Sequence, residues 1–215
     1  AYLDVNREPY ELDPSMFSDP LPPYANTTSY RVAGGFGTVA RVVSEGQEIY
    51  SEKLPLAEAE HRINTLYMPF HEALSELIKE TEARFGCALL VDCHSMPSSA
   101  GRRSRTTGYQ RPDVILGDRF GTSCAPIVVE TAEQVLLDQG YSVTRNAPYA
   151  GGHTVQKHGQ PAAGMHALQI ELSRGLYMDE KQIERLPRMD QLVDDMADLV
   201  RALADIDVAK LNPRT

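Results

Sequence analysis

The sequence predicts an α/β fold with a mostly parallel or mixed central sheet flanked by helices. Three observations carry that expectation. The apolar run Ala88-Leu89-Leu90-Val91 follows a helix stop at Gly86 and ends abruptly in Asp92-Cys93-His94-Ser95, as a strand buried on both faces does. Segments of strand and helix character alternate along the chain, the order that builds a parallel sheet. The composition, 42% hydrophobic and 24% charged over 215 residues, is that of a globular chain able to bury a substantial core as a single domain spanning 1–215.

In chain order, Tyr2, Leu3 and Val5 are the apolar part of a first strand closed by Asn6-Arg7. The chain starts inside that strand and without Met, as expected if an N-terminal portion precedes Ala1 or if the start has been processed. Pro9, Pro14, Pro20, Pro22 and Pro23 forbid a regular helix and predict an extended surface loop. Gly34-Gly35-Phe36-Gly37 is a flexible turn that lacks the Lys-Ser/Thr of a phosphate-binding loop. Val39 to Tyr50 reads as a strand or hairpin around Glu45-Gly46. Pro55 opens a helix with Leu56, Ala59, Ile63 and Leu66 on one face, and Pro69 opens another that Gly86 stops. His71-Glu72 starts like a zincin motif, but Ser75 stands where its second His belongs.

Beyond the central strand lies a long loop, Ser95 to Pro112, with the only local basic cluster: Arg102, Arg103, Arg105 and Arg111. Asp113 to Gly117 reads as a second buried strand, followed by Asp118-Arg119. Ser123 is placed to cap a helix begun by Pro126, and Tyr141 to Thr144 is a strand. Arg145 to Pro161 is a polar loop rich in Gly and His. His166 to Leu172 alternates and reads as a further strand. Pro187 opens the last helix, whose Asp190, Asp194, Asp195 and Asp198 form a solvated face.

The formal net charge of -9 argues against nucleic acid or an anionic membrane as partner, while leaving room for a small anionic substrate held by a local Arg cluster. Three cysteines without a CxxC (Cys87, Cys93 and Cys124) suggest neither a disulfide framework nor a thiolate zinc site. A reducing, cytoplasmic setting follows from that usage. No apolar stretch reaches the length of a membrane span. A homo-oligomer is compatible with the sequence.

Polar groups gather at three strand ends: Asp4, Asn6 and Arg7; Asp92, His94 and Ser95; and Gln169, Glu171, Ser173 and Arg174. In an open α/β sheet such ends line a crevice. Asp92 and His94 share one face of their strand, so the carboxylate can fix the imidazole tautomer. An isolated His at such a place is more often a hydrogen-bonded core residue than a ligand. Glu171, between Ile170 and Leu172, is either a partly desolvated general acid/base or a Glu on the wet face of an edge strand; spacing permits both. A serine hydrolase is disfavoured because G-x-S-x-G is absent. Metal-assisted hydrolysis stays open, with His94 joined by His153, His158 or His166, none at tight ligand spacing.

Asp4-Val5-Asn6-Arg7, Val91-Asp92-Cys93-His94-Ser95, Gly151-Gly152-His153-Thr154, His158-Gly159-Gln160-Pro161, His166 to Leu172, and Leu176-Tyr177-Met178-Asp179-Glu180 occur in the order of the N-formylglutamate amidohydrolase (deformylase) family. The chain resembles that family over nearly its whole length, Tyr67 to His71 included. The resemblance implies a fold similar to zinc carboxypeptidases and aspartoacylase-type deacylases, with zinc as cofactor. It implies His94 as a zinc ligand and Asp92 as its orienting neighbour. Glu171 is implied as the base that then donates the proton, and Asn6-Arg7 as the contact to a substrate carboxylate. Arg102 and Arg119 join the substrate-binding set on their positions after strand ends. The family's His-Ser-Gly segment, with the first zinc ligands, would lie before Ala1. The expected function is zinc-dependent hydrolysis of the formamide of N-formyl-L-glutamate or a related N-acyl amino acid, as in histidine degradation. The alternatives are a carboxypeptidase-like peptidase or other deacylase, and a metal-free binding or structural remnant of the fold.

Overall fold

The computed structural model describes residues 2–43, 46–98 and 112–212. The chain divides into two compact units, Ala1–Leu77 and Ile78–Thr215.

The first unit contains little regular structure, as its prolines dictate. Its helices are α1 (Tyr30–Ala33), α2 (Leu56–Arg62), a π-helical segment (Ile63–Tyr67) and the start of α3 (Met68–Phe85). Leu12, Met16, Phe17, Val39 and Ala59 form its apolar centre. Buried polar groups complete it. The Arg62 guanidinium reaches Glu58 Oε1 at 2.8 Å, Tyr2 O at 3.0 Å and Tyr50 Oη at 2.6 Å. Glu11 accepts from Ser29 and pairs with Arg31 at 3.6 Å. The glycine turn serves packing: a Cβ on Gly37 would sit 2.3 Å from Glu11 O.

Two expectations fail in this unit. Tyr2 to Val5 form no strand. Asp4 Oδ1 accepts from Asn6 N at 2.8 Å, and that local bond folds the segment into a turn. The two helices expected from Pro55 and Pro69 are one continuous helical run. Pro69 lacks the N–H that an α-helix would supply four residues back, and the widened π turn lies immediately before it. The expected hairpin survives as an antiparallel bridge between Val42 and Glu48.

The second unit has the predicted α/β architecture. After α3 come β1 (Ala88–Met96), β2 (Val114–Gly117), α4 (Pro126–Asp138), β3 (Val143–Arg145), α5 (His153–His158), β4 (Met165–Ser173), a short pair β5 (Met178–Asp179) and β6 (Glu184–Arg185), and α6 (Met189–Ala204). Among the described residues the main sheet has the order β1-β4-β2-β3. β1 runs parallel to β4 and β2 parallel to β3, while β2 and β4 are antiparallel, so the sheet is mixed.

One sheet face is apolar. Leu89 and Val91 of β1, Leu168, Ile170 and Leu172 of β4, and Val114 and Leu116 of β2 pack into a single core with Val128, Ala132 and Leu136 of α4 and Leu192, Leu199 and Leu203 of α6. The opposite face is set by alternation: Asp92 and His94 on β1, Gln169 and Glu171 on β4, and Gly117 on β2. The short helix α5 packs on β4 and β1.

Two details differ from the sequence reading. Ser123 does not cap α4; its hydroxyl donates to Ala167 O at 2.8 Å, and the cap position is Ala125. The acidic row of α6 is not wholly solvated, because Asp195 accepts a 2.5 Å bond from Tyr141 Oη. No helix among the described residues is long and apolar enough to cross a membrane.

Candidate active site

The carboxyl ends of β1 and β4 build the site. In their parallel register Asp92 stands opposite Gln169 and His94 opposite Glu171, so all four side chains leave the same face. His94 Nε2 lies 2.9 Å from Asp92 Oδ1. On the neighbouring strand, Gln169 Nε2 donates to Glu171 Oε1 at 2.9 Å. Strand alternation puts these polar groups on one face, where the half-buried Asp92 and His94 pair with each other and the buried Gln169 and Glu171 with each other.

A loop lies over the next strand. Gly117, opposite Gln169 on β2, has no room for a side chain: a Cβ there would meet Gly151 N at 2.7 Å. Gly152 N donates to Gln169 Oε1 at 2.7 Å. Arg119 pins the same loop, its N donating to Ala150 O at 2.8 Å and its Nη1 to Gly151 O at 3.2 Å.

Glu171 is 9% exposed, and burial pushes its carboxyl above the ordinary Glu range. His94 pulls it back down, Asp92 raises it further, and the Gln169 bond and Arg174 lower it. The wet-face alternative for Glu171 is therefore excluded by its burial. Arg174, three residues on, lies with Nε 3.5 Å from Ser95 Oγ and Nη1 3.7 Å from Glu180 Oε1.

Asn6 and Arg7 belong to the first unit. Arg7 Nε donates to Phe36 O at 3.0 Å and Nη1 to Asn6 O at 2.9 Å, while Nη2 pairs with Asp4 Oδ2 at 3.2 Å. Tyr67 Oη donates to Arg7 O at 2.8 Å, and His71 Nε2 meets Val5 O at 2.9 Å. The Asn-Arg segment is thus held by its own unit from both sides. Arg102 lies outside the described residues, with most of the basic loop.

Among the alternative ligands, His166 is structural. Its Nδ1 accepts from Ala125 N at 3.1 Å and its Nε2 donates to Leu211 O at 2.8 Å, leaving neither ring nitrogen for a metal. Burial also holds its pKa below the usual His value. His153 opens α5 and the buried His158 closes it. The His94–Asp92 pair fits one arm of a metal site, since a carboxylate on one ring nitrogen orients the other for a ligand. Asp92 Oδ2 is buried with no hydrogen-bond partner among the described residues. The described residues contain no group of three His, Cys, Asp or Glu that could hold an ion. They fit part of a zinc site, not a complete one.

Sequence reasoning set Gln169 among the polar groups at the strand ends and Gly152 within a motif of the family, but gave neither a specific task. The available signal was the Gln-x-Glu spacing, which puts both side chains on one strand face.

Comparison with known proteins points the same way. The profile of N-formylglutamate amidohydrolase matches residues 1–178. The N-formylglutamate deformylase of Pseudomonas aeruginosa is 33% identical over 175 residues, 80% of this chain and 62% of that protein. The deformylase of Pseudomonas putida is 31% identical over 176 residues, with the same coverage. The chain thus spans 62% of the length of these curated relatives. The crystal structure of N-formylglutamate amidohydrolase from Ralstonia eutropha JMP134 superposes with a TM-score of 0.85 at 34% identity, covering 100% of this chain and 75% of that one. A gene product of Agrobacterium tumefaciens shares the fold, with a TM-score of 0.60 at 21% identity over 95% of this chain and 66% of its own. The chain belongs to the N-formylglutamate amidohydrolase family.

Proposed function

We propose that the complete protein hydrolyses the formamide bond of N-formyl-L-glutamate, releasing formate and glutamate. The observation that carries this reading is Glu171: a buried carboxyl with a raised pKa, bonded to Gln169 and opposite His94 at the end of a parallel strand pair. The names of the curated relatives supply the substrate class.

An amide needs its attacking water deprotonated and its departing nitrogen protonated. One carboxyl of raised pKa does both in turn, because raising the pKa makes the carboxylate a better base for the water proton while the acid form can still give that proton to the amine. Glu171 takes the proton from water as the water oxygen bonds to the formyl carbon. It then returns that proton to the amine as the carbon–nitrogen bond breaks. Zinc belongs to the proposal: His94, oriented by Asp92, would be one of its ligands, and the bound ion would supply Lewis acidity at the acyl carbonyl. Asn6 and Arg7 are proposed to meet a substrate carboxylate, where a planar guanidinium gives a bidentate match.

The test is an assay of the complete protein, purified without chelator. Stoichiometric release of formate and glutamate, with zinc bound and activity lost on its removal, is the expected result. No formate from N-formyl-L-glutamate overturns the substrate assignment. Full activity in the metal-stripped protein overturns the cofactor.

A further inference from the structure

Gln169 is 4% exposed, and both ends of its carboxamide are held. The Gly152 backbone N–H points at it from 2.7 Å. An N–H can only donate, so the atom it meets is the carbonyl oxygen, Oε1. The other end of the amide is then the NH2 group, and it faces Glu171 Oε1 at 2.9 Å. A flipped amide would set N–H against N–H at Gly152 and oxygen against oxygen at Glu171, so the orientation is unique. The loop that supplies Gly152 is itself seated by the missing Cβ of Gly117 and by the two Arg119 bonds.

We propose that Gln169 is a positioning residue: anchored by the Gly152 backbone, it holds Glu171 in one orientation and reserves Oε2 as the oxygen that takes and returns the proton. Oε1 is committed to accepting the Gln169 N–H. Oε2 receives the proton of water as the water oxygen bonds to the formyl carbon. The same proton moves from Oε2 to the amide nitrogen as the carbon–nitrogen bond breaks, giving formate and the free amine. The assignment rests on Glu171 as the general base proposed above. It adds that the base's geometry depends on the β3–α5 loop through a single side-chain amide.

The test uses Gln169→Met, which keeps length without the amide, and Gln169→Glu, which keeps the shape but replaces the NH2 group by an oxygen that sets a second carboxyl against Glu171, both in the complete protein. Misplacing a catalytic group by an ångström, or removing its supporting partner, costs roughly 10- to 100-fold. Both variants are expected to lose kcat for formate release on that order with KM little changed, the rate being read on folded protein because each variant also strands buried polar partners. A wild-type kcat in Gln169→Met overturns the proposal. The second readout is the Gln169 side-chain NH2 resonance in 15N-labelled protein, identified by its absence from Gln169→Glu. It is expected to be protected from solvent exchange and to shift in Glu171→Gln. A freely exchanging amide, indifferent to Glu171→Gln, overturns the proposal independently of activity. If the wild type releases no formate, the functional reading fails, and this resonance still decides the positioning claim.

Discussion

The two faces of the β1–β4 strand pair use the same backbone for opposite ends. On one face, Leu89, Val91, Leu168, Ile170 and Leu172 pack against α4 and α6 and contribute stability by leaving water. On the other, one residue along each strand, the half-buried Asp92 and His94 stand beside the buried Gln169 and Glu171, gathering four polar groups. Burial of a carboxyl such as Glu171 disfavours its charged form, so this face costs stability rather than adding it. Strand alternation alone separates the two roles. Substitutions one position apart should therefore move different observables.

The largest effect is expected at His94. His94→Ala removes the ring opposite Glu171 and the proposed ligand. General acid–base and metal contributions are each worth roughly 100-fold or more, so formate release should fall by at least that factor, with bound zinc reduced and the thermal midpoint little changed. A variant that keeps its rate would break the comparison on the polar side.

Leu168→Ala, on the other face, should do the reverse. Leu168 is fully buried, and Leu→Ala at such sites costs about 2–5 kcal/mol. Urea or thermal unfolding should show that loss, while the kcat of the folded fraction stays near wild type. A stability unchanged by Leu168→Ala would place the core elsewhere.

A smaller effect sharpens the apolar side. Tyr141 Oη donates to Asp195 Oδ2 across the α4–α6 core, and burial followed by that carboxylate pushes the Tyr141 pKa up to about 12. A group whose folded pKa is raised contributes stability that is complete below its unfolded pKa, about 10. The contribution is then lost as pH rises from about 10 to about 12. Tyr141→Phe should cost about 1 kcal/mol at neutral pH and remove this part of the alkaline decline in the unfolding midpoint. An alkaline decline of the same size in Tyr141→Phe would contradict the assignment.

How much of this was legible in the sequence varies with the range of the contacts involved. The apolar run at Ala88 and the alternation at His166 to Leu172 located β1 and β4, because a strand's burial pattern is written in its own residues. The Asp92–His94 pair followed from a spacing of two. Tyr2 to Val5 looked like a strand for the same local reason, but a strand also needs a neighbour to pair with, and here Asp4 closes a turn instead. His166 was open as a ligand until two backbone partners distant in sequence, Ala125 and Leu211, were seen to take both its nitrogens. Gln169 was invisible as a positioning group because its meaning depends on Gly152, placed by a loop whose course rests on Gly117 and Arg119.

The most direct measurement combines rate and stability in Glu171→Gln. Glu171 has a raised folded pKa, so its favourable contribution is present only below the unfolded Glu value and is lost as pH rises through the folded one. Ionising the buried side chain carries a cost that the neutral isostere does not. Glu171→Gln should therefore release no measurable formate while unfolding at the same or a higher temperature than wild type at pH 7, the difference vanishing as both are acidified below about 4.3, the ordinary Glu pKa. An active Glu171→Gln, or one markedly less stable at pH 7 than at acidic pH, would contradict the account.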